Sequence, residues 1–190
     1  EPSAVERDYR QRLGDATLRQ FGYDLLQAGG APTGVRTGAI GGDYALGIGD
    51  ELSVSFRGAV NSSSVARVDR DGRIVIGDLK PIQAAGRTLG AVRADIAAET
   101  RRTLLATDSY VTVGDVRQVS VFVGGEVMRP GQFSVTALTD VATAIARAGG
   151  VRRSGSLRAI RLVRASGASL TIDLYGFLGI GTPAAVRLQD

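Results

Sequence analysis

Acidic side chains offer this chain its clearest route to chemistry, because two carboxyl groups a few ångströms apart can cleave a glycosidic bond. The candidate pairs are Asp50 with Glu51 and Asp69 with Asp71. Asp50 and Glu51 are neighbours at the start of a predicted strand, so their side chains should point to opposite faces. Asp69 and Asp71 flank a predicted turn, where polar residues are expected for structural reasons. Neither pair therefore predicts a catalytic site.

The other residues that carry most enzyme chemistry are missing or isolated. The sequence contains no histidine and no cysteine, and lysine occurs once, at Lys80. Ser-His-Asp and Cys-His nucleophile systems, most zinc sites and disulfides are therefore excluded. Residues 69–72 are similar to part of a calcium loop, but Arg67 would occupy the first ligand position. We predict a protein that is not an enzyme, with no catalytic residue, no metal site and no cofactor.

Arginine is the charged residue type whose distribution points to a ligand. Between Val141 and Ile172 there is no acidic residue while arginine occurs six times, so the net charge of +4 is concentrated there. The candidate contact residues are Arg129, Arg152, Arg153, Arg158, Arg161 and Arg164. Their forked guanidinium groups suit the carboxylates of an acidic polymer or of a neighbouring subunit, and solvated basic loops would give the same pattern. Nucleic acid is disfavoured, because aromatic residues make up 5% of the chain and do not interleave with the arginines.

The sequence predicts a strand, turn, strand and helix over residues 119–150, which would position part of this arginine set. Val119, Val121 and Val123 occur with the period of two that a strand requires. Residues 129–132, Arg-Pro-Gly-Gln, predict a type II turn before a return strand that begins at Phe133. Thr139 is the predicted N-cap of the next helix. That helix has an apolar face and a glycine stop, formed by Val141, Ile145 and Ala148 and then Gly149 and Gly150.

An upstream segment predicts a second unit of mixed helix and strand. Leu52, Val54 and Phe56 alternate with polar residues, as in a strand with one buried face. Asp71 and Gly72 form a strong hairpin signal. An amphipathic helix is predicted near residues 88–105, and strand character then resumes, on the basis of Leu89, Val92, Ile96 and Leu104 and then Tyr110, Val111 and Val113. The order of hairpin, helix and strand suits an α+β domain with the helix covering one face of the sheet.

The N-terminal region predicts a helical segment and then a connector. Residues 1–28 hold a partial helical stripe that is interrupted at Gly14 and consists of Val5, Tyr9, Leu13, Leu18, Phe21 and Leu25. Residues 28–42 are rich in Gly, Ala, Pro and Thr, which is typical of a flexible connector. The longest uncharged run, residues 174–186, is too short and too rich in glycine to span a bilayer.

Two motifs resemble domains of bacterial polysaccharide export proteins. Residues 125–131, Gly-Glu-Val-Met-Arg-Pro-Gly, with a short helix ending in Ala-Gly-Gly, resemble the SLBB domain, a β-grasp-like module. Residues 44–52, Tyr-Ala-Leu-Gly-Ile-Gly-Asp-Glu-Leu, with the turn and helix after them, resemble the periplasmic polysaccharide export domain. The resemblance implies an α+β fold of two small domains, residues 43–118 and 119–190, after an N-terminal segment of residues 1–42. It also implies that the SLBB domain is truncated at its C-terminal end, where family members continue with a further strand.

This resemblance implies a non-enzymatic, periplasmic part of an outer-membrane translocon that exports capsular polysaccharide or exopolysaccharide. Proteins of the family assemble into rings, commonly octamers, which enclose a conduit and meet an inner-membrane copolymerase. The implied partners are therefore further copies of the chain, that copolymerase and a polysaccharide, which the arginines predict to be acidic, but no nucleic acid. The alternative is a periplasmic or surface carbohydrate-binding module that uses the arginine-rich half, and a hydrolase is a third hypothesis.

Overall fold

The computed structural model describes residues 2–26, 40–178 and 186–188. The chain divides into two compact units. The central unit comprises residues 37–117, and the flanking unit combines residues 1–36 with residues 118–190. Both units mix helices with antiparallel strands, which confirms the predicted α+β class. Most of the predicted connector, and residues 179–185 of the long uncharged run, lie outside the described residues.

The central unit is built on a three-stranded antiparallel sheet. Its strands are β1 (Glu51–Gly58), β2 (Ser62–Arg67) and β5 (Thr107–Val113), in the order β2-β1-β5. Leu52, Val54 and Phe56 are buried while the residues between them are not, as their alternation predicts. The central strand therefore has one face in the core and one face that is partly open to water.

A single helix covers this sheet. Helix α2 (Leu89–Thr103) begins at Thr88, whose hydroxyl accepts the amide of Ala91 at 3.3 Å. Leu89, Val92 and Ile96 form its buried stripe. Burial of each such side chain contributes roughly 1.5–3 kcal/mol, so this stripe is enough to fix the helix on the sheet.

The turn at Asp71 and Gly72 exists, but the two strands beside it do not form a hairpin. The Asp69 carboxylate accepts the amides of Asp71 at 2.9 Å and Arg73 at 2.8 Å, which closes the turn, and Gly72 has φ +77°. Strand β3 (Arg73–Ile74) then pairs with β4 (Ile82–Gln83). Strand β2 pairs with β1, so the hairpin that contains β2 lies one connection earlier than predicted.

In the flanking unit, strands β6 (Gln118–Val123) and β7 (Gly131–Thr136) form an antiparallel ladder. The predicted turn position is wrong, because Gly131 is already paired with Val123 as the first residue of β7. The chain reverses direction within residues 124–130, where Gly125 takes the positive φ of +81°. The Arg-Pro-Gly string leads into the return strand, and the reversal comes before it.

Helix α3 (Val141–Arg147) follows this ladder and is capped by Asp140, not by Thr139 as predicted. The Asp140 carboxylate accepts the amide of Thr143 at 2.7 Å, and its negative charge is favourable at a helix N-terminus. The Thr139 hydroxyl lies instead against that of Thr136, at 3.2 Å. The C-terminal stop is as predicted, with Gly149 and Gly150 both at positive φ.

A second ladder completes the described part of the flanking unit. It consists of β8 (Ile160–Val163) and β9 (Ser169–Ile172), and helix α4 (Leu174–Leu178) comes after it. The core of the unit is formed by buried residues of α3 and of segments on both sides of it in the sequence, namely Tyr23, Leu26, Val135, Val141, Ala142, Ala144, Ile145, Val151, Leu157, Leu174 and Leu188. The N-terminal segment therefore contributes side chains to the same core as residues 135–188.

The N-terminal helix is confirmed, but its apolar stripe faces outward. Helix α1 (Ala4–Leu13) ends at Gly14 in the left-handed conformation, φ +65°. Val5, Tyr9 and Leu13 are 52%, 54% and 66% exposed. The buried residue of α1 is Glu6, which is 3% exposed. Charge, and not the apolar stripe, therefore fixes this helix to its unit; the side chain of Leu25 lies outside the described part of the chain.

Candidate functional site

The six predicted contact arginines do not form one patch. Arg153 is largely enclosed, with 16% of its side chain exposed. Its guanidinium group contacts the Glu6 carboxylate and donates to Asp24 at 2.9 Å. Glu6 also accepts the amides of Ser3 at 2.9 Å and Gln20 at 2.8 Å. Arg153 thus holds the N-terminal segment in place and is not available to a ligand.

Arg158 is engaged at the surface of the same unit. It donates to Asp173 at 3.1 Å and lies over the Tyr175 ring, 4.6 Å from its centroid. That ring stacks on Phe21 at 6.4 Å, and the Tyr175 hydroxyl donates to the Phe21 carbonyl at 3.1 Å. An exposed cation–π contact contributes about 0.5–1 kcal/mol, so Arg158 supports the packing of the N-terminal segment weakly.

Arg129 donates a hydrogen bond to the backbone at the end of α3. Its guanidinium group donates to the Arg147 carbonyl at 3.2 Å, and Arg147 in turn donates to the Ser134 carbonyl at 3.3 Å. Arg129 thus satisfies a carbonyl at the C-terminus of α3, where positive charge is favourable, and Arg147 satisfies a carbonyl of β7. Both are exposed, so they remain within reach of solvent.

Arg152, Arg161 and Arg164 are the three arginines of the predicted set that keep open guanidinium groups. Within residues 2–26, 40–178 and 186–188, these groups have no hydrogen-bond or ion-pair partner; Arg152 and Arg161 are exposed, and Arg164 is half-buried. Arg161 and Arg164 line one cleft of the flanking unit, whereas Arg152 does not. The structure therefore brings together two of the six predicted contact residues.

That cleft has a volume of about 1010 Å³ and lies between the two ladders of the flanking unit. Its walls are β6 and β8, and α3 contributes Val141, Ala144 and Ile145. Glu126 stands at the cleft as well, and accepts the Ser154 hydroxyl at 2.6 Å. The cleft is thus mainly apolar, with two open arginines along the β8 side.

Sequence reasoning missed a buried polar cluster in the central unit. Asp50 is fully buried and pairs with Arg117, whose guanidinium group lies 3.0 Å away. The same carboxylate accepts the Tyr44 hydroxyl at 2.9 Å and the amides of Gly47 at 2.9 Å and Arg117 at 2.8 Å. Every oxygen of the buried charge is satisfied, which is the condition for a buried ion pair to be tolerated.

Gly47 is the residue of the sequence that could have indicated this cluster. A Cβ at Gly47 would lie 2.4–2.6 Å from atoms of the Arg117 guanidinium group, so any residue other than glycine would displace that group. Tyr44, Gly47 and Asp50 are neighbours in the sequence and could have been grouped. Arg117 is 67 residues from Asp50, and no local pattern connects them.

The predicted carboxylate pairs have separate roles in the structure. Asp50 binds Arg117, whereas Glu51 lies 3.6 Å from Arg67. Asp69 closes a turn through its side chain. Among the described residues, no three potential metal-ligating side chains lie close enough to hold an ion. The described helices also include none with the length and apolar character to cross a bilayer.

One phenol of the flanking unit is perturbed by its surroundings. Tyr23 is buried, and its hydroxyl donates to the Gly155 carbonyl at 2.7 Å. Burial, and secondly the nearby Tyr175, raise the pKa of Tyr23 above its usual value. The neutral phenol is therefore part of the contact between the N-terminal segment and residues 151–157.

Comparisons with known proteins assign both units. The family model of polysaccharide biosynthesis/export proteins matches residues 39–114, and that of the SLBB domain matches residues 120–173. Two curated relatives, both polysialic acid transport proteins KpsD of Escherichia coli, are 26% identical over 174 residues. The match covers 90% of this chain and 31% of each relative, so the chain spans about a third of their length.

Proposed function

Because the chain belongs to the polysaccharide export family, with an export domain followed by an SLBB domain, we propose that it forms part of a conduit wall in an outer-membrane translocon for capsular polysaccharide or exopolysaccharide. One observation carries the proposal. The export match, residues 39–114, falls inside the central unit, and the SLBB match, residues 120–173, falls inside the flanking unit. Two family domains in this order are more specific than either alone, and the family is one of export proteins, not of enzymes.

The partners in this proposal are a polysaccharide, further copies of the chain in a ring, and an inner-membrane copolymerase. The periplasmic side of the outer membrane is the proposed location. The relatives named above are transport proteins for polysialic acid, whose residues carry carboxylates. We therefore favour an acidic polymer, in keeping with the net charge of +4 and the open groups of Arg152, Arg161 and Arg164.

Weak contacts are what such a conduit requires. A polymer must be attracted enough to enter and held loosely enough to leave. An exposed arginine contributes about 0.2–1 kcal/mol to an ion pair with a carboxylate, so a single contact breaks readily. Arg152 and Arg161 meet this requirement, and Arg164 is half-buried with an open guanidinium group, whereas Arg153 is already enclosed by Glu6 and Asp24.

Gene deletion in the source bacterium tests export directly, with polysaccharide measured at the cell surface and in the periplasm. We expect surface polymer to disappear and polymer of normal chain length to accumulate in the periplasm. Complementation with R152E/R161E/R164E should restore export of an acidic polymer severalfold less well than the wild type. R101E is the matched control, because Arg101 is an exposed arginine of the central unit, outside the proposed contact set.

Three outcomes contradict the conduit. Normal surface polymer in the deletion strain removes the export role. Saturable binding of an acidic oligosaccharide by the isolated chain, weakened by R152E, supports the carbohydrate-binding module instead. A change in polymer length without periplasmic accumulation points to hydrolysis, which D69N and D71N would then abolish.

A further inference from the structure

The sheet of the central unit has a second face, on the side away from α2. Side chains of β1 and β5 that alternate with the buried ones lie on this face, and each of them is exposed or half-buried. The Tyr110 surface consists of Ser53, Ser55, Arg57, Asp108, Tyr110 and Thr112. Both strands lie within residues 51–113, so this surface belongs to the central unit.

Tyr110 is the aromatic residue of this surface, and it is 61% exposed. The register places it directly opposite Ser55, and Asp108 and Thr112 follow it on the same face of β5. Directly opposite residues of an antiparallel pair have Cβ atoms about 4.5–5.5 Å apart. Strand side chains project roughly perpendicular to the sheet, and serine and threonine are short. The Tyr110 ring therefore has room beside it for a flat ligand.

The hydroxyl groups around this ring are free to bind a ligand. Over the residues that the structure describes, the side-chain hydroxyls of Ser53, Ser55, Tyr110 and Thr112 have no hydrogen-bond partner. Each of these groups can donate one hydrogen bond and accept others. A sugar ring carries hydroxyl groups with the same two capacities. Free hydroxyls beside an exposed aromatic ring therefore suit a carbohydrate.

The charges of the Tyr110 surface suit the same class of ligand. Arg57 and Asp108 lie opposite each other in the register, but neither forms an ion pair with any described residue. The Arg57 guanidinium group donates to the Phe56 carbonyl at 2.9 Å and keeps further N–H groups open. A guanidinium group complements the carboxylate of an acidic sugar, and a carboxylate accepts hydrogen bonds from sugar hydroxyls. An apolar peptide or a lipid surface would leave these polar groups without partners.

We propose that the Tyr110 surface binds one pyranose ring of an acidic polysaccharide. The proposal rests on the export function proposed above and adds a contact surface in the central unit. The C–H groups on one side of the sugar ring lie against the negative face of the Tyr110 ring. The sugar hydroxyls bond to Ser53, Ser55, Thr112 and Asp108, and the sugar carboxylate pairs with Arg57. An open surface of this kind holds a single sugar loosely, so the polymer can move on.

The test is an NMR titration of the ¹⁵N-labelled chain with a hyaluronan octasaccharide, in which uronic acid alternates with N-acetylhexosamine. We expect the amide signals of Ser53, Ser55, Tyr110 and Thr112 to shift, with a Kd of about 1 mM or weaker. At a fixed glycan concentration, Y110A should reduce these shifts at least fivefold. Y110F keeps the ring and should retain at least half of the shift.

Y9A is the matched control, because Tyr9 is an exposed tyrosine of the flanking unit. Y9A and R152E should both leave the shifts at the Tyr110 surface unchanged, and circular dichroism checks that each variant is folded. Neutral maltooctaose should produce smaller shifts than hyaluronan, since it has no carboxylate to pair with Arg57.

Three results overturn the proposal. Y110A may respond as the wild type does, or maltooctaose may equal hyaluronan. The same amides may also shift when the chain is concentrated without glycan, which would assign the surface to a second copy. None of these results removes the export function, because the deletion strain tests export without reference to Tyr110.

Discussion

The two units differ in how they treat charge and apolar surface. The central unit closes a three-stranded sheet under α2 and encloses Asp50 with every carboxylate contact satisfied. The flanking unit has two separate two-stranded ladders, a core open to a cleft, and a buried charge that connects distant parts of the chain. The comparison teaches that the central unit satisfies its buried charge by contacts within residues 44–117, whereas the flanking unit satisfies its buried charge only by joining residues 6 and 153.

Removal of the Asp50 carboxylate should have the largest effect. D50A leaves Arg117 charged and partly buried, and it removes the carboxylate that accepts the Tyr44 hydroxyl and the Gly47 amide. We expect the free energy of unfolding of the central unit to fall by about 3–5 kcal/mol. Hydrogen exchange resolved by residue, as a function of urea, measures the two units separately.

The control for this change is D71A, which removes an exposed carboxylate whose side chain makes no hydrogen bond or ion pair within the described residues. It should alter stability by less than about 0.5 kcal/mol. A loss of under 1 kcal/mol for D50A would show that the central unit does not depend on its buried charge.

Loss of Arg153 should be the largest single effect on the flanking unit. R153A leaves the Glu6 carboxylate buried with two amide donors but no cation, and it releases Asp24. We expect a loss of about 2–4 kcal/mol, together with faster proteolysis of the N-terminal segment. R152A is the control on the adjacent exposed arginine and should leave the proteolysis rate unchanged. Equal rates for R153A and the wild type would contradict the role of the ion pair.

An intermediate effect is expected for G47A. The added methyl group would collide with the Arg117 guanidinium group, which can move aside only by leaving Asp50. The expected cost to the central unit is about 1–3 kcal/mol. G114A is the control, since its Cβ would meet its nearest atom at an ordinary 3.6 Å. If G47A leaves the free energy of unfolding of the central unit unchanged, the ion pair of Asp50 and Arg117 tolerates rearrangement.

The smallest effect is expected for Y23F, which removes the hydrogen bond to the Gly155 carbonyl and should cost about 1 kcal/mol. It should also change the response to pH. The pKa of Tyr23 is raised in the folded chain, so its contribution is complete below an unfolded pKa of about 10 and is lost as pH rises beyond it. Denaturant titrations at pH 8 and pH 11 should therefore show a smaller drop for Y23F than for the wild type. An identical drop in stability for the two proteins would contradict the assignment of this pH dependence to Tyr23.

Local patterns predicted the elements well where neighbouring residues determine them. The alternation of Leu52, Val54 and Phe56 and the stripe of α2 correspond to observed buried faces. The N-cap of α3 was missed by one residue. Thr139 and Asp140 are both residue types that cap helices well, and it is the Asp140 carboxylate that accepts the amide of Thr143. The turn before β7 was misplaced. Gly131 is already paired with Val123 in the ladder, so the chain must reverse direction before the proline and glycine that suggested the turn.

The candidate site was predicted less well, for a physical reason. Arginine composition shows where positive charge is concentrated but not which guanidinium groups are already paired. Arg153 and Arg158 lose their availability to Glu6 and Asp173, and the first of these partners is 147 residues away. Arg117 was likewise invisible as the partner of Asp50. Contacts between distant residues depend on the assembled fold, which single-sequence patterns do not encode.

The flanking unit consists of two stretches of sequence, and the central unit lies between them in the chain. This division implies an order of folding during synthesis. Residues 37–117 form their contacts among themselves, so the central unit can fold as soon as that stretch has been synthesised. Glu6 must wait for Arg153, and this long closure is slow compared with local folding. The contact of Glu6 with Arg153 is therefore among the last to form, and α1 reaches its final position in the unit only after residue 153 has been synthesised.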